Sequence, residues 1–390
     1  MLILGLFFYA FMENMNVYLN VLNRALVNSP ALFRKLLETA FSQAEPEIFL
    51  ESFLKACSAG NGGGYCKKIG LTVSDYAMSL LSDPGSIEKS KREIEWMDSK
   101  NVRLLNVADD DYPQALLECN DAPPLLYCRG EISWNSRQCC AFVGTRLPSV
   151  YGLETTAELV RSVCSYGVTI VSGLAYGIDI AAHKAALECG GRTVAVLPNG
   201  MDSVYPNGHR DYAARIVRAG AVVTEFPLGA KAMKMNFIKR NRIIAGMSDW
   251  LVLPESRIHG GAMTTAQFAC SYNREVFAVP GRLTDPNSSG CNYLLSKKMA
   301  DTIYRPEQLC ESMGLGTLEF GHRTDEKELF FNDNDKKRKI MLTLKDISGR
   351  NADEICQLTG IPFSEVSLIL LELELSGAVR NRGSDIYSLA

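Results

Sequence analysis

Six short apolar runs alternate with helical stretches in the middle of the chain, and this alternation is the strongest constraint on its fold. The runs occupy residues 140–143, 168–171, 194–197, 221–223, 250–253 and 276–279. They are not interrupted by polar residues at every second position, which is typical of strands buried on both faces. The helical patterns between them lie near residues 152–166, 178–189, 209–219, 237–247 and 262–273. This series predicts an α/β fold with a doubly wound parallel sheet.

The chain divides by pattern into three units and one linker. Residues 1–98 have helical patterns without strand-like alternation and predict an N-terminal helical accessory domain. Residues 99–312 carry the strand and helix series. Residues 313–335 are polar and predict a linker, and residues 336–390 predict three helices followed by a hairpin. Three helices with a terminal hairpin are typical of a winged helix.

The overall charge limits how the chain could meet nucleic acid. It carries 41 Lys and Arg against 44 Asp and Glu, a net charge of -3, and its pI is about 5.9. A protein of this charge is not coated with positive residues. Any contact with a phosphate backbone therefore has to come from a local groove or stripe.

Cysteine and the N-terminal residues indicate the compartment. The 12 Cys include no Cys-x-x-Cys pair, and the 4 His are not spaced as zinc ligands, so no metal site is expected. Scattered cysteines without a framework indicate reduced thiols in the cytoplasm. Residues 1–12 are apolar but too short to span a bilayer, and no basic residue precedes them. Neither a signal peptide nor membrane attachment is expected.

Residues 231–242 form a local basic block. Five of these twelve residues are Lys or Arg and none is acidic. The block follows the strand run at 221–226, and in an open parallel sheet ligands collect where strands end. Lys and Arg side chains with Phe237 and Asn241 among them suit phosphates and flat bases. A solvated helix face is the ordinary alternative for such a run of charge.

Other strand ends carry residues suited to anions. The first of the six runs ends in Gly144, Thr145 and Arg146, and the second ends in Ser172 and Gly173. Glycines at a strand end let backbone amides approach an anion, and the first turn of the following helix favours negative charge. Gly260 and Gly261, followed by Thr264 and Thr265, form a third such turn after the fifth run. A row of these turns suits a nucleic-acid strand better than a dinucleotide.

Several enzyme signatures are absent from the sequence. There is no Gly-x-x-x-x-Gly-Lys-Ser/Thr, and no Gly-x-Gly-x-x-Gly follows a strand run. No nucleophile and base pair is suggested by spacing. Asp179 and Glu255 are the only acids worth testing as catalytic, and structural roles are the simpler interpretation of both. The sequence therefore predicts a protein without catalytic residues or cofactor.

The ordered motifs resemble those of the DNA-processing protein A (DprA/Smf) family. The resemblance is dense over residues 100–305, and residues 336–390 are similar to the optional winged helix of that family. It rests on residues 144–146, 172–179, 205–206, 237–246, 260–266 and 277–281.

The resemblance implies a function and a set of contacts. It implies an extended Rossmann-like fold that binds single-stranded DNA without catalysis, protects incoming strands and loads the RecA recombinase in natural transformation, as a homodimer. The implied contact residues are Gly144, Thr145, Arg146, Ser172, Gly173, Lys234, Phe237, Arg240, Asn241, Arg242, Gly261 and Thr265. Two departures from the family pattern are Thr145, where a serine is common, and the stretch 207–209, where some relatives place a lysine.

An enzymatic alternative starts from the turn that follows the fifth run. Pro254 and Glu255, with Gly260 and Gly261 before a threonine, resemble the turn of cytokinin-activating phosphoribohydrolases. That likeness would imply a nucleotide N-glycosidase on a similar core. The glutamate expected after the threonine is absent, because residues 266–267 are Ala and Gln.

The C-terminal unit has an acidic third helix. Its predicted range, 362–375, contains Glu365, Glu372 and Glu374 and no Lys or Arg. An acidic helix fits a major groove poorly. The pattern favours a protein partner or a regulatory role, with Arg380 and Arg382 on the wing as possible backbone contacts.

Overall fold

The computed structural model describes residues 2–315, 335–344, 349–375, 377–381 and 385–389. They belong to two compact units, residues 1–317 and residues 318–390. Most of the predicted linker lies outside the described residues.

Six helices open the first unit. They are α1 (Leu2–Leu26), α2 (Pro30–Phe41), α3 (Pro46–Ser58), α4 (Gly62–Lys68), α5 (Asp75–Leu81) and α6 (Ser86–Ser99). Pro30 and Pro46 stand in the first turns of their helices, where the missing N–H leaves no hydrogen bond unmade. Ser74 caps α5 by accepting from the Ala77 N–H. The helical character predicted for this region is confirmed.

A nine-stranded sheet follows, built mainly of parallel strands. Its strands are β1 (Val102–Asn106), β2 (Leu125–Gly130), β3 (Cys139–Phe142), β4 (Thr169–Ser172), β5 (Thr193–Val196), β6 (Ala221–Thr224), β7 (Trp250–Leu253), β8 (Glu275–Ala278) and β9 (Asp301–Thr302). They lie in the order β1-β2-β6-β5-β4-β3-β7-β8-β9. All pairings from β6 to β9 are parallel, so the predicted fold class is confirmed.

Two strands at one edge are antiparallel, which the sequence analysis did not predict. β1 pairs with β2, and β2 pairs with β6, both antiparallel. Neither belongs to the strand and helix series, and about twenty residues without a hairpin turn signal separate them. The sheet is therefore mixed at this edge and parallel elsewhere.

The helices of the sheet region are α7 (Gln114–Leu117), α8 (Val150–Ser165), α9 (Ile178–Glu188), α10 (Arg210–Ala219), α11 (Lys234–Gly246), α12 (Gly261–Ser271), α13 (Ser289–Ser296) and α14 (Pro306–Ser312). Buried residues of α8, α9 and α14 pack with Cys140 and Phe142 of β3. Those of α11 and α12 pack with Ala141 of the same strand, on the opposite face. The chain thus changes direction in the sheet between β3 and β7. Such a switch point opens a crevice at the carboxyl ends of the strands.

The N-terminal helices share a hydrophobic core with one part of the sheet. Leu19 and Leu22 of α1 belong to the same buried cluster as Leu125 and Tyr127 of β2 and Val222 of β6. The Tyr127 hydroxyl donates to Asn20 Oδ1 at 2.6 Å. A domain boundary near residue 98 stays a prediction, and these helices cover the sheet face beside β2 and β6.

The second unit has the winged-helix pattern that the sequence predicts. It contains α15 (Asp335–Thr343), β10 (Arg350–Asn351), α16 (Ala352–Thr359), α17 (Phe363–Leu375), β11 (Val379–Asn381) and β12 (Ile386–Leu389). Asn351 and Glu354 form a reciprocal capping box at the start of α16. Gly360 ends that helix with a φ of 70°, a conformation that glycine adopts without strain. Arg382 of the predicted wing lies outside the described residues.

The described part of the chain lacks two features. None of its helices combines the length and the apolar character needed to cross a membrane. Within the same residues, no group of three His, Cys, Asp or Glu side chains is placed to hold a metal ion.

Candidate nucleic-acid interface

A cleft of about 700 Å³ opens at the carboxyl ends of β3 and β7, where the chain changes direction in the sheet. Residues of α11 from Lys234 to Ile244 and the first turn of α12 form its other walls. Nine of the twelve predicted contact residues line it: Gly144, Thr145, Arg146, Lys234, Phe237, Arg240, Asn241, Gly261 and Thr265. The ends of separate strands therefore bring most of the predicted set together.

Phe237 lines this cleft and contacts three of its other side chains. The guanidinium carbon of Arg146 lies 5.2 Å from the centre of its ring, and that of Arg240 lies 5.9 Å away. The Tyr205 ring meets Phe237 edge-on with 5.4 Å between the ring centres. Arg146 is exposed and Tyr205 is 45% exposed. Aromatic rings beside cations give a surface on which bases stack and to which phosphates are attracted.

Arg240 is buried and serves mainly to hold the cleft wall. Its Nη1 donates to the Gly173 carbonyl at 2.5 Å and to the Val196 carbonyl at 2.8 Å. Its Nε donates to Asn241 Oδ1 at 3.1 Å. Burial, opposed by Asp179 and reinforced by nearby Arg146, lowers the pKa of Arg240 to about 10. Arg240 therefore fixes α11 to the ends of β4 and β5 while its edge lines the cleft.

Ser172 and Gly173 lie behind the cleft wall. The Ser172 hydroxyl is fully buried and donates to the Phe142 carbonyl at 2.6 Å. A Cβ atom on Gly173 would stand 1.9 Å from Arg240 Nη1, so no larger residue fits without displacing the guanidinium. Gly173 holds Arg240 in place and Ser172 joins the end of β4 to β3, and neither residue lines the cleft.

Arg242 points into the fold. It forms a short ion pair with Glu225 and donates to the Asp121 carbonyl, and its side chain is 6% exposed. It lies five positions after Phe237, which places it about 140° around the helix from that residue. The structure therefore places Arg242 inside the protein, not in the cleft where the sequence analysis grouped it with Arg146 and Lys234.

The two candidate acids have structural partners. The Asp179 carboxylate accepts from the Gly173 N–H at 3.2 Å, and burial raises its pKa while Arg240 opposes that shift. The Glu255 carboxylate accepts from the Ser149 N–H at 2.9 Å and also from the Ser149 hydroxyl. Glu255 thereby joins the loop after β7 to the start of α8.

Arg257 and His259 line the cleft although the sequence analysis did not select them. Both are exposed in the loop that follows β7, and Arg257 donates from Nε to Asn287 Oδ1 at 3.0 Å. Their position directly before Gly260 and Gly261 is the signal that could have found them. Space is open around Gly261, where a Cβ atom would meet nothing within 4 Å. The first turn of α12 is therefore accessible from the cleft.

The buried His183, which lies near Arg240, should make the stability of the protein depend on pH. It is fully buried, its Nδ1 lies 2.7 Å from Thr193 Oγ1, and its Nε2 has no hydrogen-bond partner among the described residues. Burial, with Arg240 and His209 nearby, lowers its pKa to about 3 from 6.5. Below pH 6.5 His183 therefore binds a proton in the unfolded chain but stays neutral in the folded protein. The free energy of unfolding consequently falls as pH falls from 6.5 towards 3.

We expect His183→Gln to remove this dependence. Between about pH 6.5 and about pH 4.5, the free energy of unfolding of the unchanged protein should fall relative to that of the variant by up to about 1.4 kcal/mol per pH unit. Urea unfolding at a series of pH values measures the difference. Parallel curves for the two proteins would contradict a neutral, buried His183.

The chain matches two family models and a set of curated relatives that carry the names DprA or Smf. The family model described as DNA recombination-mediator protein A matches residues 103–314, and one described as DprA winged helix domain matches residues 332–383. Protein Smf of Escherichia coli (strain K12) is 35% identical over 318 residues, covering 80% of this chain and 83% of that protein.

Solved structures similar to the chain include those of two proteins named DNA processing protein A. That of DNA processing protein A from Streptococcus pneumoniae has a TM-score of 0.53 at 28% identity and covers 67% of this chain and 96% of its own. That of DNA processing protein A from Helicobacter pylori, described as giving insight into its single-stranded DNA binding mode, has a TM-score of 0.50 at 30% identity. It covers 54% of this chain and 95% of its own.

Proposed function

Since the chain belongs to the DNA recombination-mediator protein A family, we propose that its cleft binds single-stranded DNA and that no chemical step follows. The observation that carries this proposal is the packing of Phe237 against both Arg146 and Tyr205, with Lys234 at the same cleft. The H. pylori relative, described by its single-stranded DNA binding mode, supports the same ligand.

The proposal extends to a role in recombination in the cytoplasm. The protein protects incoming single strands and loads the RecA recombinase on them during natural transformation, as a homodimer. Assembly of RecA filaments on DNA already coated with a single-strand-binding protein tests this role. Faster assembly in the presence of this protein supports loading, and an unchanged rate argues against it.

The first test of the cleft is the dependence of binding on salt. Each phosphate neutralised on a single strand contributes about -0.7 to the slope of log K against log salt. We expect Arg146→Ala and Lys234→Ala each to weaken oligo-dT binding and to reduce the slope by about 0.7. Fluorescence anisotropy over a salt series, without nucleotide or metal, measures both quantities.

The control for this test is Lys100→Gln. Lys100 is exposed at the end of α6, in the N-terminal helices. Its replacement by Gln removes one positive charge, as the cleft variants do, but from a site outside the cleft. Its slope should match that of the unchanged protein. A gel shift with a duplex of equal length belongs in the same series. Equal slopes for all variants, or equal affinity for single and double strands, would contradict the proposed cleft.

A further inference from the structure

A second groove lies beside the cleft and shares one wall with it. The groove has a volume of about 720 Å³ and runs between α8 and α9. Arg146 lines both cavities, and Ala175 of the cleft is followed directly by Tyr176 of the groove. An extended ligand that leaves the cleft past Arg146 therefore enters this groove.

The groove exposes a large apolar and aromatic surface. Leu147 is 73% exposed and Tyr176 is 54% exposed, and both line it. Isolated exposed apolar residues are ordinary, but a contiguous group that lines a cavity indicates a binding surface. The surface therefore suits a ligand that has flat or apolar groups.

The Tyr176 ring is held in position before any ligand arrives. It meets the ring of His209 edge-on, with 4.7 Å between the ring centres. His209 is itself buried and its Nδ1 lies 2.7 Å from the Leu174 carbonyl oxygen. A fixed aromatic ring loses little conformational freedom when a base stacks on it.

The charges at the groove favour an anionic occupant. Arg146 and Lys184 line it, against one acid, Glu188. The Lys184 ammonium lies 5.0 Å from the centre of the Tyr212 ring, which holds it beside the groove. Aromatic and cationic side chains in one groove suit a single nucleic-acid strand.

We propose that this groove binds the continuation of the strand held in the cleft, with Tyr176 stacking a base and Lys184 contacting a phosphate. The inference rests on the proposed function of the cleft and adds a second segment to it. The continuity through Arg146, the exposed ring and the two cations favour a nucleic-acid strand over a second copy of the chain.

The test compares oligo-dT lengths from about 4 to about 16 nucleotides, the range of site sizes for modules that bind single strands. Tyr176→Ala should leave the affinity for the shortest oligonucleotide unchanged and weaken binding of the longest about tenfold. Lys184→Gln should reduce the salt slope by about 0.7 on the longest oligonucleotide only. Tyr176→Phe, which keeps the ring, should bind as the unchanged protein does.

Matched controls lie on the N-terminal helices. Tyr76 is 69% exposed on α5, and Tyr76→Ala removes an exposed ring away from the groove, as Lys100→Gln removes a remote charge. Both should bind every length normally. Equal loss on short and long oligonucleotides, or no loss on any, would overturn the inference.

Two further outcomes separate the possible failures. If the unchanged protein binds no oligonucleotide of any length, the proposed function of the cleft fails along with the groove. If Tyr176→Ala changes the oligomeric state, measured by size-exclusion chromatography with light scattering, while long strands bind normally, the groove holds a second copy and the inference is overturned.

Discussion

Phe237→Ala is expected to weaken the binding of an oligo-dT by roughly 5- to 150-fold, because stacking contributes about 1–3 kcal/mol per base. Phe237 lines the cleft and contacts both the Arg146 guanidinium and the Tyr205 ring. Alanine removes the face on which a base would stack and also the ring beside which Arg146 is held. Anisotropy titrations at one salt concentration measure the loss.

Two replacements at this position separate stacking from packing. Phe237→Tyr keeps an aromatic face and should retain most of the affinity, whereas Phe237→Leu keeps apolar volume and should not. Phe268→Ala removes a partly buried ring, stacked on Tyr272, that does not line the cleft, and it should leave DNA affinity unchanged. Equal affinity for the leucine and tyrosine variants would mean that the ring only fills space.

Glu225→Leu is expected to lower the free energy of unfolding by about 3–5 kcal/mol, because it leaves the buried Arg242 cation without its partner. Glu225 and Arg242 are 2% and 6% exposed, and their ion pair lies beneath α11. Burial raises the pKa of Glu225, and Arg242 opposes that shift. Urea denaturation gives the difference in unfolding free energy.

The double variant Glu225→Leu with Arg242→Met should recover most of the lost stability, because apolar residues of similar volume often replace a buried pair without cost. Asp111→Asn is the matched surface control. It breaks an exposed pair with Arg103, which should contribute less than about 1 kcal/mol. If the double variant is stable and its salt slope for DNA binding is reduced by about 0.7, Arg242 contacts a phosphate of the bound DNA after all.

The strands β3–β8 could be predicted within a residue because each coincides with a short, mainly apolar run without strict alternation, and such runs occur where both faces of a strand are covered. The strands β1 and β2 could not. Val102–Asn106 contains an Arg and an Asn, and the connection to β2 carries no tight-turn signal. β2 joins the rest of the sheet by pairing with β6, which lies about ninety residues further along the chain. That contact cannot be predicted from the local sequence pattern of either strand.

The cleft was predictable as a place but not in every side chain. Glycines at strand ends and the basic block predict convergence at one edge of the sheet, since parallel strands end together. Arg240 and Arg242 are two residues apart, and nothing local tells which reaches the cleft. Their directions depend on tertiary partners: the Gly173 carbonyl for Arg240 and the buried Glu225 for Arg242.

The shared core of the N-terminal helices with the sheet sets a lower limit on the size of any useful fragment. Leu125, Tyr127 and Val222 are buried with residues of α1, and Lys239 of α11 donates from Nζ to Asn28 Oδ1 at 2.5 Å. A chain shortened to begin at β1 would turn that apolar face to water and invite aggregation. A fragment intended to present the cleft should therefore keep the first helix, although none of the described side chains of that helix lines the cleft.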